Sequence, residues 1–111
     1  MRIGEEYMVE YLFESLDQIR KQIGRADLIL LFLDYDGTLV PFEDKPEDAT
    51  PSEDLIKIIK DLVKNPKFLV SIVSGRTIQD LKRMLSIEGL SFAGVHGLSI
   101  SYPNKEYIWK D

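Results

Sequence analysis

The sequence contains no cysteine in its 111 residues. This absence excludes disulfide bonds, thiolate metal sites and cysteine nucleophiles. The sequence also has no apolar run near the roughly 18 residues that a transmembrane helix requires. Glu5 and Glu6 follow Met1 and Arg2 closely, and no apolar signal-peptide core comes after them. We therefore expect a protein with no membrane partner and a cytoplasmic location.

Positive charge is also scarce. The chain has 14 Lys and Arg residues against 19 Asp and Glu residues, which gives a formal net charge of −5. This balance argues against a nucleic-acid-binding surface. It also requires that any site for an anionic group be made positive locally, by a metal ion, an arginine or backbone N–H groups. With 44% hydrophobic and 30% charged residues, the composition is that of one small globular domain.

The most informative segment combines an apolar run with two closely spaced aspartates. Six apolar residues at 28–33 precede Asp34, Tyr35 and Asp36. An uninterrupted run of this kind predicts a strand that is buried on both faces. Side chains two positions apart in an extended chain share a face, so we expect Asp34 and Asp36 to converge while Tyr35 points away. Two neighbouring carboxylates are costly unless a cation or a proton lies between them, which favours Mg²⁺ at this strand end.

A calcium-binding loop is an alternative interpretation of the same residues. An EF-hand loop that begins at Asp34 needs glycine at its sixth position and glutamate at its twelfth. Those positions hold Leu39 and Lys45, so the sequence excludes this loop. Gly37 instead allows a turn with positive φ, and Thr38 places a hydroxyl near the carboxylates. An ordinary acidic turn after a strand stays open as the simpler alternative.

Hydrophobic periodicity predicts the other elements. Gly24 is expected to end the first helix, and Thr50 is expected to be the N-cap of the second, in a capping box with Glu53. The predicted elements are a helix at 7–23, a strand at 28–34, a helix from 51 to a stop at 65–66, a strand at 68–73, a helix from about 77, a strand at 90–95 and a hairpin at 98–109.

The alternation of strands and helices predicts an α/β fold with a parallel sheet and right-handed crossovers. Two crossovers in the same direction place both connecting helices on one face of the sheet. The opposite face then has no cover, unless the helix at 7–23 supplies it.

Polar residues follow each of the three predicted parallel strands. Asp34 and Asp36 follow the first, Ser74-Gly75-Arg76 the second and His96-Gly97 the third. Ligands of open parallel sheets bind beyond the carboxyl ends of the strands. Ser74 also begins a strand-to-helix turn, where backbone N–H groups favour anions. A simple capped turn, and a structural or surface role for His96, stay open as alternatives.

Three short motifs carry a resemblance to a known family. They are DYDGTLVP at 34–41, SGR at 74–76 and GVHG at 94–97. Over residues 28–102 the sequence resembles the haloacid dehalogenase superfamily and, within it, the trehalose-6-phosphate phosphatase family. The resemblance implies a three-layer Rossmann-like fold, truncated to about three parallel strands and a C-terminal β-hairpin. It implies one partial core domain over 1–111, with a helix at 7–23, a βαβαβ core at 28–97 and the start of a cap hairpin at 98–111.

The resemblance also implies a function. The chain would be a Mg²⁺-dependent sugar-phosphate phosphatase that converts trehalose 6-phosphate to trehalose through an aspartyl-phosphate. Asp34 would attack phosphorus, and Asp36 would act first as an acid and then as a base. The metal would be held by Asp34 and by the backbone carbonyl of Asp36. Substrate and phosphate would be bound by Gly37, Thr38, Ser74, Gly75, Arg76, His96 and Gly97.

The sequence departs from this family in what it lacks. The family's later Lys or Arg, and the later acidic motif that completes its Mg²⁺ site, have no counterpart up to Asp111. An inactive fragment, or a module that depends on a partner, is therefore one alternative. A phosphatase for sucrose 6-phosphate or mannosyl-3-phosphoglycerate is another. Because the family's next strands pair beside the first strand, that strand is expected to be an edge here, and an exposed apolar edge favours self-association.

Overall fold

A computed structural model describes residues 11–108 of the chain. The elements are α1 (Leu16–Arg25), β1 (Ile29–Asp34), α2 (Glu53–Lys64), β2 (Phe68–Val73), α3 (Ile78–Met84), β3 (Ser91–Gly94), β4 (Ser99–Tyr102) and β5 (Lys105–Ile108). Short 3₁₀ turns occur at Leu12–Glu14, Pro46–Asp48 and Val95–Gly97. The predictions for residues 7–10 and 109–111 lie outside the described residues.

The strands form one mixed sheet in the order β1-β2-β3-β4-β5. The first three strands are parallel, and β4 and β5 add to β3 as an antiparallel hairpin closed by Pro103 and Asn104. Lys105 and Glu106 belong to β5. The predicted α/β fold with three parallel strands and a C-terminal hairpin is confirmed, and β1 is an edge of the sheet in the described part of the chain.

The core lies on one face of the sheet, beneath α2 and α3. Ile59 of α2 and Leu81 of α3 are buried there against Ile72 and Phe92 of the sheet. Burial of each such side chain stabilises the fold by about 1.5–3 kcal/mol. Both connecting helices cover the same face because their right-handed crossovers step in the same direction, as predicted.

The opposite face of the sheet is bare within residues 11–108. Burial alternates along β1, so that Leu30 is 57% exposed and Phe32 is 67% exposed. The prediction that this strand is buried on both faces is therefore wrong for the described residues. An apolar run makes a strand suitable for cover on both sides, but other elements have to provide that cover.

The helix α1 does not supply the missing cover, since none of its residues is buried. The predicted end at Gly24 is wrong, because the helix continues to Arg25 and Ala26 is its C-cap. A Cβ atom at Gly24 would meet nothing within 4 Å, so no contact forces the chain to turn there. No helix among the described residues is long and apolar enough to cross a membrane.

The helix α2 begins two residues later than predicted. Ser52 is its N-cap, and the Ser52 hydroxyl oxygen accepts a hydrogen bond of 3.1 Å from the Leu55 N–H. The capping box predicted at Thr50 is therefore wrong, because Ser52 offers the same hydroxyl two residues closer to the first apolar residue of the helix, Leu55. Ile58 of α2 is 58% exposed and lies outside the buried core.

Candidate functional site

Asp34 ends β1 and is exposed at the carboxyl edge of the sheet. The Thr38 hydroxyl donates a hydrogen bond of 3.0 Å to Asp34 Oδ2. The turn between them depends on Gly37, whose φ is 79° and whose N–H donates to the Val40 carbonyl at 2.8 Å. The Phe42 ring lies where a side chain at Gly37 would stand. The turn therefore returns a hydroxyl to the carboxylate of Asp34.

The buried side chain of Tyr35 anchors this turn to the core. Its side chain is fully buried, and its hydroxyl donates a hydrogen bond of 2.6 Å to the Ala49 carbonyl. Burial raises the pKa of the Tyr35 hydroxyl, so it stays a protonated donor. Tyr35 points away from the exposed Asp34 as expected, and its bond fixes the far end of the 36–49 loop.

Asp36 forms a two-pronged ion pair with Arg76. Arg76 Nε donates to Asp36 Oδ2 at 2.8 Å, and Arg76 Nη2 donates to Asp36 Oδ1 at 2.7 Å. Arg76 Nη2 also donates to the Pro46 carbonyl at 2.8 Å. The Arg76 side chain is 8% exposed and that of Asp36 is 30% exposed, so water screens the pair only in part. The hydrogen bonds from Arg76 lower the pKa of Asp36, which stays ionised.

Ser74 is buried at the turn after β2. Its hydroxyl oxygen accepts a hydrogen bond of 3.0 Å from the Arg76 N–H, and its own N–H donates to the Ala93 carbonyl at 2.9 Å. Thr77 caps α3 by accepting from the Asp80 N–H at 3.1 Å. The simple capped turn, left open by the sequence, is thus present, and it fixes the backbone from which Arg76 projects.

The turn after β3 is strained and is held against the Ser74–Arg76 turn. Val95 and His96 have φ of 49° and 53°, which cost about 1–3 kcal/mol each for residues other than glycine. The Val95 N–H donates to the Arg76 carbonyl at 2.8 Å, and the His96 N–H donates to the Ser74 carbonyl at 3.2 Å. Gly97 follows with φ of 90° and completes the turn.

The imidazole of His96 packs directly on Gly75. A Cβ atom at Gly75 would lie 2.7 Å from His96 Cε1, so a glycine is needed for this approach. A Cβ atom at Gly94 would lie 2.8 Å from the Arg76 carbonyl oxygen. The SGR and GVHG motifs are therefore two parts of one interlocked structure, which the sequence reading treated as separate.

These residues surround a pocket of about 580 Å³. Its walls combine the predicted residues Asp36, Gly75, Arg76 and His96 with residues that the sequence reading did not assign. The unassigned lining residues are Phe42, Glu43, Pro46, Thr77 and Asp80. Asp34 bonds with Thr38 and is not among the lining residues, so the structure gives the two aspartates different surroundings.

The pairing of Arg76 with Asp36 was not predicted. A signal was present, since a partly buried carboxylate requires a cation and both residues follow the carboxyl ends of strands predicted to lie in one sheet. The flap residue Phe42 gave no comparable signal, because a single aromatic residue in a loop is common. The acidic residues Asp44, Glu47 and Asp48 of the 36–49 loop are all exposed.

The residues present fit part of a magnesium site. The described residues contain no group of three His, Asp or Glu side chains placed to hold a metal ion. The Asp36 carboxylate is taken by Arg76, which leaves the Asp34 carboxylate and the Asp36 backbone carbonyl as donors. Mg²⁺ commonly binds to one or two protein carboxylates and completes its shell with water and phosphate oxygens. Two such oxygens agree with that preference.

Comparison with known proteins gives a consistent result. The trehalose-phosphatase family model matches residues 32–110. Trehalose-phosphate phosphatase B of Arabidopsis thaliana is 36% identical over 83 residues, which are 75% of this chain and 22% of that protein. The bifunctional trehalose-6-phosphate synthase/phosphatase of Thermoproteus tenax is 35% identical over 106 residues, which are 95% of this chain and 14% of that protein.

A solved structure has the same fold. Trehalose-6-phosphate phosphatase of Aspergillus fumigatus superposes with a TM-score of 0.74 and 32% sequence identity. The match covers 86% of this chain and 35% of the fungal chain. The chain thus spans about a third of that structure and a quarter or less of the curated relatives that it matches.

Proposed function

Because the chain belongs to the trehalose-phosphatase family, we propose that it hydrolyses a sugar phosphate monoester, with trehalose 6-phosphate as the substrate. The observation that best supports this proposal is the position of Asp34. Its carboxylate is exposed at the carboxyl edge of a largely parallel sheet, where ligands of such sheets bind. The Thr38 hydroxyl donates to one carboxylate oxygen and orients the group.

In the proposed reaction, an Asp34 carboxylate oxygen attacks phosphorus and the sugar oxygen leaves. An aspartyl-phosphate then forms on Asp34, and attack by water releases inorganic phosphate. Thr38, Ser74 and the backbone N–H of Gly75 contact the phosphoryl group, and Gly37 forms the turn that brings Thr38 to it. Mg²⁺ held by the Asp34 carboxylate and the Asp36 carbonyl would offset negative charge on the phosphoryl oxygens.

Asp36 is suited to the two proton transfers only if Arg76 changes partner. While paired with Arg76, Asp36 is ionised and can accept a proton from the attacking water. Before that step it has to donate a proton to the leaving sugar oxygen. A substrate phosphate competes for the two-pronged guanidinium of Arg76 and frees Asp36. The negative charge of the bound phosphate then raises the pKa of Asp36, so that this carboxyl group can take up a proton from solvent and donate it to the sugar oxygen.

The sugar is proposed to occupy the pocket beside Asp36. Its volume of about 580 Å³ lies in the range of small-molecule sites, roughly 300–1,000 Å³. His96 and Asp80 offer hydrogen bonds to hydroxyl groups, and the Phe42 ring, 78% exposed, offers an apolar face. The leaving sugar oxygen would thus be close to Asp36.

The test is release of inorganic phosphate from trehalose 6-phosphate in the presence of Mg²⁺. We expect Asp34→Asn to reduce the rate by at least about a hundredfold, because it removes the nucleophile. The matched control is Asp44→Asn in the exposed loop, which should leave the rate unchanged. Sucrose 6-phosphate and mannosyl-3-phosphoglycerate, tested in parallel, decide between the sugars. Full activity in Asp34→Asn would refute the assignment.

A second candidate function is a module that is inactive by itself. It is favoured by the match to only 35% of a solved relative and by the lack of a third metal-binding carboxylate in the described part of the chain. Removal of a single oxyanion-stabilising donor from an active site typically costs about 2.7–4 kcal/mol of transition-state stabilisation, and a missing charged group at a phosphoryl-transfer site acts in the same way. If the chain releases no more phosphate than Asp34→Asn does, this candidate replaces the first.

A further inference from the structure

The turn after β3 has a strained conformation that its sequence does not favour. In the described part of the chain, Val95 and His96 are the two residues other than glycine that have positive φ, at 49° and 53°. This conformation is unfavourable for any residue that has a Cβ atom, and most of all for a β-branched residue such as Val95. Strained residues persist only where the surrounding structure holds them, and they occur most often at functional sites. The contacts of this turn should therefore show what the conformation is for.

The strained turn directs two consecutive N–H groups at the turn after β2. The Val95 N–H donates to the Arg76 carbonyl at 2.8 Å. The His96 N–H donates to the Ser74 carbonyl at 3.2 Å. These two carbonyls belong to the residues on either side of Gly75, and the His96 ring packs on Gly75 itself, because a Cβ atom there would lie 2.7 Å from His96 Cε1. The strained turn therefore holds Gly75 through both its main chain and a side chain.

The hydrogen bond from His96 to Ser74 fixes the direction of the Gly75 N–H. The Ser74 carbonyl and the Gly75 N–H belong to one planar trans peptide, so they point in opposite directions. Because the carbonyl faces the turn after β3, the N–H faces the other neighbour of β2, which is β1. Asp34 ends β1 on that side, and no described residue accepts a hydrogen bond from the Gly75 N–H. This donor is therefore directed to the space beyond the carboxyl end of β1.

Ser74 is held from two further sides. Its N–H donates to the Ala93 carbonyl at 2.9 Å, and its hydroxyl oxygen accepts from the Arg76 N–H at 3.0 Å. The peptide between Ser74 and Gly75 therefore cannot rotate unless one of these hydrogen bonds or the bond from His96 breaks. A hydroxyl that accepts one hydrogen bond still has its own hydrogen to donate. The turn thus leaves two donors for a ligand, the Ser74 hydroxyl and the Gly75 N–H.

We propose that Val95 and His96 are positioning residues, whose strained turn orients the Gly75 N–H toward the phosphoryl group that forms on Asp34. This inference rests on the proposed function, in which that N–H contacts the phosphoryl group. A donor that is oriented in advance stabilises the developing negative charge without reorganisation during the reaction. His96 acts here through its main-chain N–H, so phosphate binding does not require its imidazole. The imidazole lines the pocket beside Asp36 instead.

The experiment measures the dissociation constant of inorganic phosphate, the product of the proposed reaction, by calorimetry on the 111-residue chain with Mg²⁺ present. Two variants of one residue are compared. His96→Asn removes the imidazole, keeps the N–H and tolerates positive φ, so the constant should stay within about threefold of wild type. His96→Pro removes the N–H and fixes φ near about −65°, so the constant should rise at least about tenfold, as expected for a lost hydrogen bond to an anion.

A second position and a second measurement support this comparison. Val95→Gly keeps the N–H and relieves the strain, so it should bind phosphate as wild type does. In NMR spectra, phosphate should move the Gly75 amide proton downfield in wild type, His96→Asn and Val95→Gly, but not in His96→Pro. Circular dichroism reports whether each variant is folded. If His96→Pro is unfolded, His96→Val replaces it, because a second β-branched residue at positive φ should also weaken phosphate binding relative to His96→Asn.

Three results would overturn the inference. Equal loss of affinity in His96→Asn and in the disruptive variant would show that the imidazole binds the phosphate. Equal retention in both would show that the turn is not needed. Absence of phosphate binding by wild type, or binding without a response of the Gly75 amide, would show that this N–H is not the donor.

The proposed function is tested separately by phosphate release from trehalose 6-phosphate. A chain that shows the expected binding pattern and releases no phosphate would contradict the proposed function and support the positioning role. A chain that hydrolyses the substrate while His96→Asn and His96→Pro bind phosphate equally well would contradict only the positioning role.

Discussion

At the scale of single residues, Arg76 connects every part of the candidate site. Its guanidinium binds Asp36 and the Pro46 carbonyl, its N–H donates to Ser74, and its carbonyl accepts from the Val95 N–H. The guanidinium also lies over the Tyr35 ring, 5.2 Å from its centre. One residue, through its side chain and its backbone together, therefore joins the turns after all three parallel strands. Its removal should affect stability as well as chemistry.

We predict that Arg76→Met lowers the free energy of unfolding by about 2 kcal/mol at pH 7, because it leaves the Asp36 carboxylate without its partner. Asp36 has a lowered pKa in the folded state, so the pair stabilises the fold above the usual carboxyl pKa of 3.8. This contribution disappears as the pH falls through the lowered value. Urea unfolding at pH 7 and near pH 2 should show a larger difference between wild type and variant at the higher pH. A smaller difference should remain near pH 2, because the contacts of Arg76 with the Pro46 carbonyl and the Tyr35 ring do not depend on the ionisation of Asp36. An equal difference at both values would contradict this origin.

Gly75 offers a second prediction at this scale. Gly75→Ala places a methyl group against the His96 ring and should lower the free energy of unfolding by about 1–2 kcal/mol. The matched control is Gly24→Ala, which meets nothing within 4 Å and should gain up to about 1 kcal/mol of helix propensity in α1. Thermal melts compare the two, and NMR reports whether the His96 ring moves. Equal behaviour of both variants would contradict the close packing of Gly75 and His96.

The sequence predicted the placement of individual residues well where backbone geometry alone determines it. Tyr35 opposite Asp34 follows from strand alternation, and the turn at Gly37 follows from the freedom of glycine. The ion pair of Arg76 with Asp36 was not predicted, because it joins residues 40 positions apart and depends on side-chain packing. The positive φ of Val95 was not predictable either, since a β-branched residue normally avoids it.

At the scale of elements, the type and order of the helices and strands were predictable from the sequence, but their first and last residues were not. The strand at 68–73 has the predicted bounds, because its apolar run is bounded by polar residues on both sides. The last residue of α1 and the first residue of α2 each differ from the prediction by two positions. The start of the first helix was predicted wrongly, because a separate 3₁₀ turn occupies Leu12–Glu14 and α1 begins only at Leu16. Several residues near a helix end can satisfy the same capping rule, and the hydrogen bond that forms in the folded structure selects one of them. Ser52 and Thr50 are such a pair.

This pair gives a prediction about α2. Ser52→Ala removes the hydroxyl that accepts from the Leu55 N–H and should cost about 1 kcal/mol. Thr50→Ala should cost close to nothing, since the Thr50 hydroxyl does not cap the helix. Both residues are exposed, so the comparison isolates the cap. Urea unfolding measures both, and a larger loss for Thr50→Ala would show that the helix begins where the capping box had placed it.

At the scale of the whole molecule, the sheet is covered on one side only within residues 11–108. The handedness of crossovers predicted this from the order of elements alone. The apolar composition of β1 predicted burial on both faces, because it reflects only that the strand is suited to such burial. Both statements are consistent if the bare face meets another surface. The exposed Asp34 also lies on this side of the sheet, at its carboxyl end.

The most direct test of the proposed chemistry is to find the phosphoryl group on the protein. The chain is mixed with trehalose 6-phosphate and Mg²⁺, quenched in acid, digested and analysed by mass spectrometry. We expect one phosphoryl group on the peptide that contains Asp34, at a higher level in Asp36→Asn, because that variant lacks the base for the second step. The label should be absent from Asp34→Asn. A phosphoryl group on any other residue, or none on Asp34 while phosphate is released, would contradict the assignment of Asp34 as the nucleophile.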